Sequence, residues 1–149
     1  MGTMEDQKIK DTIIELVCNV DDMTAEQTGF AIEQLMGAGA LDVYALPAVM
    51  KKSRPGTILH VLCRNEDRER MIPLIFRHTT TLGIREMQMN RYILNRRFET
   101  VQTKFGPVSC KISEGYGVQR CKLEYDDLAA IAREQDVSLS EICKGVIVR

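Results

Sequence analysis

Asn19-Val20-Asp21-Asp22-Met23-Thr24 sets two adjacent carboxylates between an apolar alternating stretch and the start of a helical one. Hard divalent cations take oxygen ligands, and Mg²⁺ in particular often uses one or two carboxylates plus a nucleotide's phosphates. Asp21 and Asp22 are therefore the metal candidates, although a solvated turn beside a positive helix end carries the same pair. Met50-Lys51-Lys52-Ser53-Arg54-Pro55-Gly56 puts three cations within four positions. Lysines act on a polyphosphate as point charges and arginine as a two-pronged fork. Lys51, Lys52 and Arg54 thus become triphosphate candidates, with a basic solvated hairpin loop as the alternative. Thr79-Thr80-Thr81-Leu82-Gly83-Ile84-Arg85 offers hydroxyls, backbone N–H groups and a cation. It suits an anion, with Arg85 as a further phosphate contact, and equally suits a plain helix-to-strand connection.

Other charged runs have simpler readings. Arg96-Arg97 is expected as a solvated pair on a hairpin, and Glu124-Tyr125-Asp126-Asp127 as the acidic first turn of a helix. No Ser/His/Asp or Cys/His arrangement is suggested, so no catalytic residue is assigned. His60 is expected within a sheet.

The elements that must hold these groups follow from periodicity. Thr12–Val20 alternates with period two, with Ile14, Leu16, Cys18 and Val20 on one face. Thr24-Ala25-Glu26-Gln27 is a capping box opening a helix along Thr28, Ala31, Ile32, Leu35 and Met36, and Gly37 or Gly39 stops it. Gly29 inside that helix predicts a close approach to the sheet. Leu41–Val49 predicts a second strand, at an edge because Pro47 cannot donate to a ladder. Thr57–Arg64 predicts a third, and Asn65 a cap for a helix through His78 that starts late or kinks at Pro73. Ile84–Asn90 predicts a fourth. The order β-α-β-β-α-β with right-handed crossovers is the ferredoxin-like plait, its second and fourth strands at the edges.

Arg97–Phe105 and Val108–Ser113 then predict a hairpin around Gly106-Pro107, with Val108, Cys110 and Ile112 inward. Glu114–Lys122 reads as a loop or irregular strand. Tyr125–Gln135 predicts a helix, and Ser138-Leu139-Ser140-Glu141 a capping box for a short last one. The class is α/β (α+β): a ferredoxin-like domain over 11–90, then a small α/β subdomain over 91–149. In this plait the Lys51–Arg54 connection is expected at the sheet end away from Asp21. One site joining both clusters would then need a subunit interface or a bent edge strand.

Bulk properties narrow the classes. Of 149 residues, 44% are hydrophobic and 28% charged, a globular composition. Twenty Lys+Arg nearly balance 21 Asp+Glu, so no global field gathers nucleic acid or anionic lipid. No apolar run approaches the roughly 20 residues that span a bilayer. Polar Met1–Lys10 carries no signal-type apolar segment. Five dispersed cysteines predict reduced, buried thiols and a cytoplasmic location rather than a disulfide frame.

The strings 19–24, Gly39-Ala40-Leu41-Asp42-Val43, 50–56, Thr80-Thr81-Leu82-Gly83-Ile84-Arg85 and 124–127 stand in the order and spacing of the C-terminal region of LarC. The chain resembles that family of nickel-pincer cofactor biosynthesis proteins from about residue 11 onward, departing at Leu123, where proline is expected. The resemblance implies a CTP-dependent nickel insertase, a cyclometallase of the lyase class. Its substrates would be Ni²⁺ and pyridinium-3,5-bisthiocarboxylate mononucleotide, activated by cytidylyl transfer. It also implies CTP bound with Mg²⁺ or Mn²⁺, a homo-oligomer, and an N-terminal family region beyond this chain. Nickel delivery wants softer donors than this chain is rich in, so the CTP half of the reaction is the part expected here. The competing reading is a ferredoxin-like regulatory or ligand-sensing oligomer. An RNA-binding plait ranks below both, since aromatics are 5% and none cluster on the first or third strand.

Overall fold

β1 (Lys10–Val20) is the strand on which the first unit is built. The computed structural model describes residues 10–147, so the signal-peptide reading of the polar start, Lys10 apart, lies outside the described residues. These divide into two packed units, one formed by Lys10–Arg91 and the other by the residues after it. After β1 come α1 (Ala25–Gly37), β2 (Asp42–Met50), β3 (Arg54–Cys63), α2 (Arg68–His78) and β4 (Arg85–Tyr92). The sheet order is β2-β3-β1-β4, with β3 antiparallel to both β1 and β2. This is the ferredoxin-like plait, and β2, with Pro47, lies at its edge.

The core explains the pattern. Ile14, Leu16 and Cys18 of β1 and Leu59, Val61 and Cys63 of β3 pack against Leu35 of α1 and Met71 and Ile75 of α2. Each large apolar side chain so buried contributes about 1.5–3 kcal/mol. The opposite face of β1 is buried too: Ile13, Glu15 and Val17 are 4%, 8% and 5% exposed. Glu15 is tolerated because its carboxylate lies 2.8 Å from His60 Nδ1 and accepts from Tyr44 Oη at 3.4 Å. Tyr44 in turn stacks on His60 at 4.7 Å. His60 therefore sits in the sheet as a satisfied polar group.

Two local expectations are corrected. Gly29 faces open space, since a Cβ there would meet nothing within 4 Å, so no close helix–sheet approach requires it. Asn65 does not cap α2. Residues Asn65–Asp67 form a 3₁₀ turn, and α2 begins at Arg68 and continues through Pro73. Thr24 does cap α1 in a full capping box, and Gly39 (φ 99°) turns the chain after it.

At the far end of the sheet, Arg91 holds Asp11 with two bonds, Nε–Oδ1 at 3.0 Å and Nη2–Oδ2 at 2.5 Å. The Arg91 hydrogen bond keeps the Asp11 carboxyl below its ordinary value. A carboxyl depressed on folding stabilises above its unfolded pKa, about 3.9, and that contribution fades as pH falls through the folded value. Asp11→Asn should therefore lower Tm modestly at pH 7. The gap to wild type should close on acidification below pH ~3.9, and thermal melts across pH 7 to 2 would show whether it does.

The second unit holds β5 (Asn95–Thr103), β6 (Gly106–Gly115), β7 (Val118–Leu123), α3 (Tyr125–Gln135) and α4 (Leu139–Lys144). β5, β6 and β7 form an antiparallel meander, and Val108 packs with Leu128 and Ile142 of the helices. The stretch expected as a loop or irregular strand contains the strand β7, because Gly115 and Gly117 (φ 146° and 74°) fold a tight turn and return the chain onto β6. That pairing brings Cys110 and Cys121 together in a disulfide, correcting the expectation that both are reduced. Cys121 and Cys143 are also exposed, whereas Cys18 and Cys63 are buried and free. Arg97 is exposed, in line with the expectation of a solvated residue, and also pairs with Glu99 and Glu114. Asp127 accepts from the Ser109 N–H at 2.7 Å, which lowers its carboxyl and ties α3 to β6.

Candidate nucleotide and metal site

Because the crossover through α1 makes β2 run the same way as β1, the β2–β3 connection lies at the end of β1 where Asp21 begins. The register says the same: Val20 pairs with Thr57, three residues from Arg54, and Met50 pairs with Arg54. The expectation that this loop lies away from Asp21 is overturned. α2 returns the chain to this end, so β4 starts there with Arg85. A single chain thus gathers all three segments.

They line a cleft of about 350 Å³ whose wall includes Asn19, Asp21, Asp22, Lys51, Thr80 and Arg85. Arg85 Nη2 donates to Asn19 Oδ1 at 2.6 Å, and the Thr80 hydroxyl donates to Asp22 Oδ1. Arg54 Nη1 reaches Asp21 Oδ2 at 3.4 Å, an exposed pair of little stabilising worth. Lys52 and Arg54 flank the cleft without lining it. Asn19 and Thr80 are the partners that residue-type reasoning leaves undistinguished; only the fold brings them beside Arg85 and Asp22.

Two backbone features hold the basic loop over the acidic turn. Gly56 lies so close to β1 that a Cβ there would stand 2.8 Å from the Val20 carbonyl oxygen and would strike Met50 Sδ. Lys52 (φ 61°, ψ 28°) and Ser53 (φ 54°) both occupy the left-handed region. That region costs an L-residue roughly 1–2 kcal/mol. Ser53→Gly should relieve it and raise stability by about 0.5–1 kcal/mol, net of glycine's entropy. Urea unfolding of the variant tests this, with an unchanged or lower midpoint as the contrary result.

Beneath the Thr79–Thr81 segment lies Cys18. Burial pushes its thiol up, against hydrogen bonds with Thr81 and Thr79 that draw it down. A protonated, buried thiol is a poor metal ligand. Among the described residues no three His, Cys, Asp or Glu side chains stand where together they could hold a metal ion. The donor set is therefore two adjacent carboxylates beside cations. It suits a hard divalent ion whose shell is completed by phosphate oxygens, not a cage made by protein alone.

The chain matches the family described as nickel insertion protein over residues 2–143. It belongs to that family. A putative nickel insertion protein of Dictyoglomus thermophilum is 36% identical over 95% of this chain and 37% of its own length. The pyridinium-3,5-bisthiocarboxylic acid mononucleotide nickel insertion protein of Acetivibrio thermocellus is 39% identical over 95% of this chain and 35% of its own. The chain thus spans about a third of the length of these nickel insertion proteins. Among solved structures it is similar to the apo form of LarC2, the C-terminal domain of a cyclometallase involved in synthesis of the NPN cofactor of lactate racemase. That match has 34% identity and TM-score 0.83, over 92% of this chain and 95% of that one. Protein MK0293 of Methanopyrus kandleri is also similar, at TM-score 0.69 and 29% identity, over 89% of this chain and 85% of that one.

Proposed function

We propose that this chain is the CTP-binding part of a nickel insertase that metallates pyridinium-3,5-bisthiocarboxylate mononucleotide. The observation that carries the reading is the convergence of Asp21, Asp22, Lys51 and Arg85 on one cleft at the end of β1. Family membership supplies the chemistry: a nickel insertion protein that acts on this mononucleotide is 39% identical. Ni²⁺ enters as a substrate.

In this reading Asp21 and Asp22 hold Mg²⁺ or Mn²⁺, which offsets the charge of the triphosphate. Lys51 and Arg85 contact phosphate oxygens from the cleft wall, and Lys52 and Arg54 approach from the rim. Asn19 positions the Arg85 guanidinium. Nucleotidyl transfer rests on positioning and charge neutralisation, which such a group set can supply. A thiocarboxylate of the substrate attacks the α-phosphorus, the α–β anhydride bond breaks, and pyrophosphate leaves. The resulting cytidylyl ester is the activated form for metallation. Copies of the chain assemble as a homo-oligomer in the cytoplasm.

Calorimetry with CTP, ATP and GTP in the presence of Mn²⁺ tests the assignment. Selective, metal-dependent CTP binding is the expected result. Binding that is absent or indifferent to the base would favour a regulatory, ligand-sensing module instead.

A further inference from the structure

We propose that the groove between α1 and α2 seats the pyridinium ring of the acceptor mononucleotide, an inference that rests on the function proposed above. The groove has a volume of about 460 Å³ and is lined by Met23, Glu26, Phe30, Arg77, His78 and Thr80, among others. Thr80 also lines the nucleotide cleft, where its hydroxyl meets Asp22. The two spaces therefore share Thr80 in their walls. A molecule lying in the groove can extend an arm past Thr80 toward the phosphates, as transfer between two nucleotides requires.

The groove's chemistry matches an aromatic cation with anionic arms. Glu26 and Phe30 stand four apart on α1 and so share a helix face. Phe30 is 54% exposed, a large apolar surface left open, and its ring is set edge-on to His78 at 5.8 Å and 72°. An aromatic face beside a carboxylate attracts a permanent ring cation. Arg77, at the end of α2, suits a thiocarboxylate arm. Neither Glu26 nor Arg77 is ion-paired within 4.0 Å among the described residues. Helix dipoles account for the signs of those two charges, but not for the open Phe30 ring in the same groove. A neutral cytosine would gain stacking there and little from the carboxylate's charge.

The test measures binding of three probes to the whole chain with Mn²⁺ present: CTP, inorganic tripolyphosphate, and pyridinium-3,5-bisthiocarboxylic acid mononucleotide, the last both with and without CTP. Glu26→Gln and Phe30→Ala, both at exposed positions, should each weaken the mononucleotide about tenfold, roughly 1.4 kcal/mol, and leave the other two probes unchanged. Phe30→Leu should lose as much as Phe30→Ala, because the ring face rather than apolar bulk is used. Unchanged mononucleotide binding overturns the proposal. So does a loss for CTP without one for tripolyphosphate, which would place cytosine in the groove. If wild type fails to bind CTP yet the variants still lose the mononucleotide, the groove assignment stands and the CTP function falls.

Discussion

Asp22→Ala is expected to weaken metal-dependent CTP binding at least a hundredfold, on the order of 2.7 kcal/mol, while the fold survives. The carboxylate is exposed, and its hydrogen bond is to the Thr80 hydroxyl on the neighbouring segment. Removing a surface group of this kind usually changes stability by about 0.5 kcal/mol or less. A divalent cation shared with a triphosphate depends far more strongly on it, because few carboxylates are present to complete the shell. Asp21→Ala should cost less. Asp21 is paired with Arg54, so its removal takes one ligand away but frees a guanidinium for phosphate. Titration of Mn²⁺ with CTP, beside thermal melts of both variants, separates binding from folding. A lowered Tm with normal CTP affinity in Asp22→Ala would remove the metal role assigned to it.

The order of elements was legible in the sequence because each carries its own local signal. Alternation marks β1, Thr24 and Gln27 form the reciprocal cap of α1, and Pro47 sits in an edge strand as its missing N–H demands. Tyr125–Gln135 was readable as a helix from Leu128, Ile131 and Ala132, the first buried with Val108 and Ile142 and the other two packed partly buried against that cluster. What escaped was relational. The disulfide needs β7 to return beside β6, and β7 was obscured because Val118–Leu123 is exposed over most of its length and carries little apolar alternation. Glu15 falls on the face of β1 opposite Ile14, Leu16 and Cys18, where a single buried face would leave it exposed; its partner His60 lies 45 positions away and was invisible without the β1–β3 register.

The candidate site shows the same division. Residue type and local spacing were enough to mark Asp21, Asp22, Lys51, Lys52, Arg54 and Arg85 as candidates. Their convergence is a property of chain direction, since three crossings return the chain to one end of the sheet. Close contact there then depends on Gly56, whose missing Cβ lets the basic hairpin fold over Val20. The left-handed backbone at Lys52 and Ser53 aims the loop and carries strain that a glycine would avoid. That strain sits next to the cleft, whose wall includes Lys51 and not Lys52.

Lys51→Glu and Lys52→Glu should therefore differ, although the two residues are adjacent. Reversal at Lys51 replaces an attraction with a repulsion inside the cleft. A charged hydrogen bond is worth about 1.5–3 kcal/mol, so CTP affinity should fall on the order of a hundredfold. Lys52 acts from the rim, where solvent and salt screen it over about 8–10 Å. Its reversal should cost roughly tenfold at low salt and less at 0.15 M. Both losses should be largest for CTP, smaller for CDP and least for CMP, because the charge recognised belongs to the phosphate tail. Titrating the three nucleotides at two ionic strengths gives the full comparison. Equal losses for CTP and CMP would mean that the loop reads something other than the triphosphate. Equal losses at Lys51 and Lys52 would mean that the hairpin is repositioned when nucleotide binds.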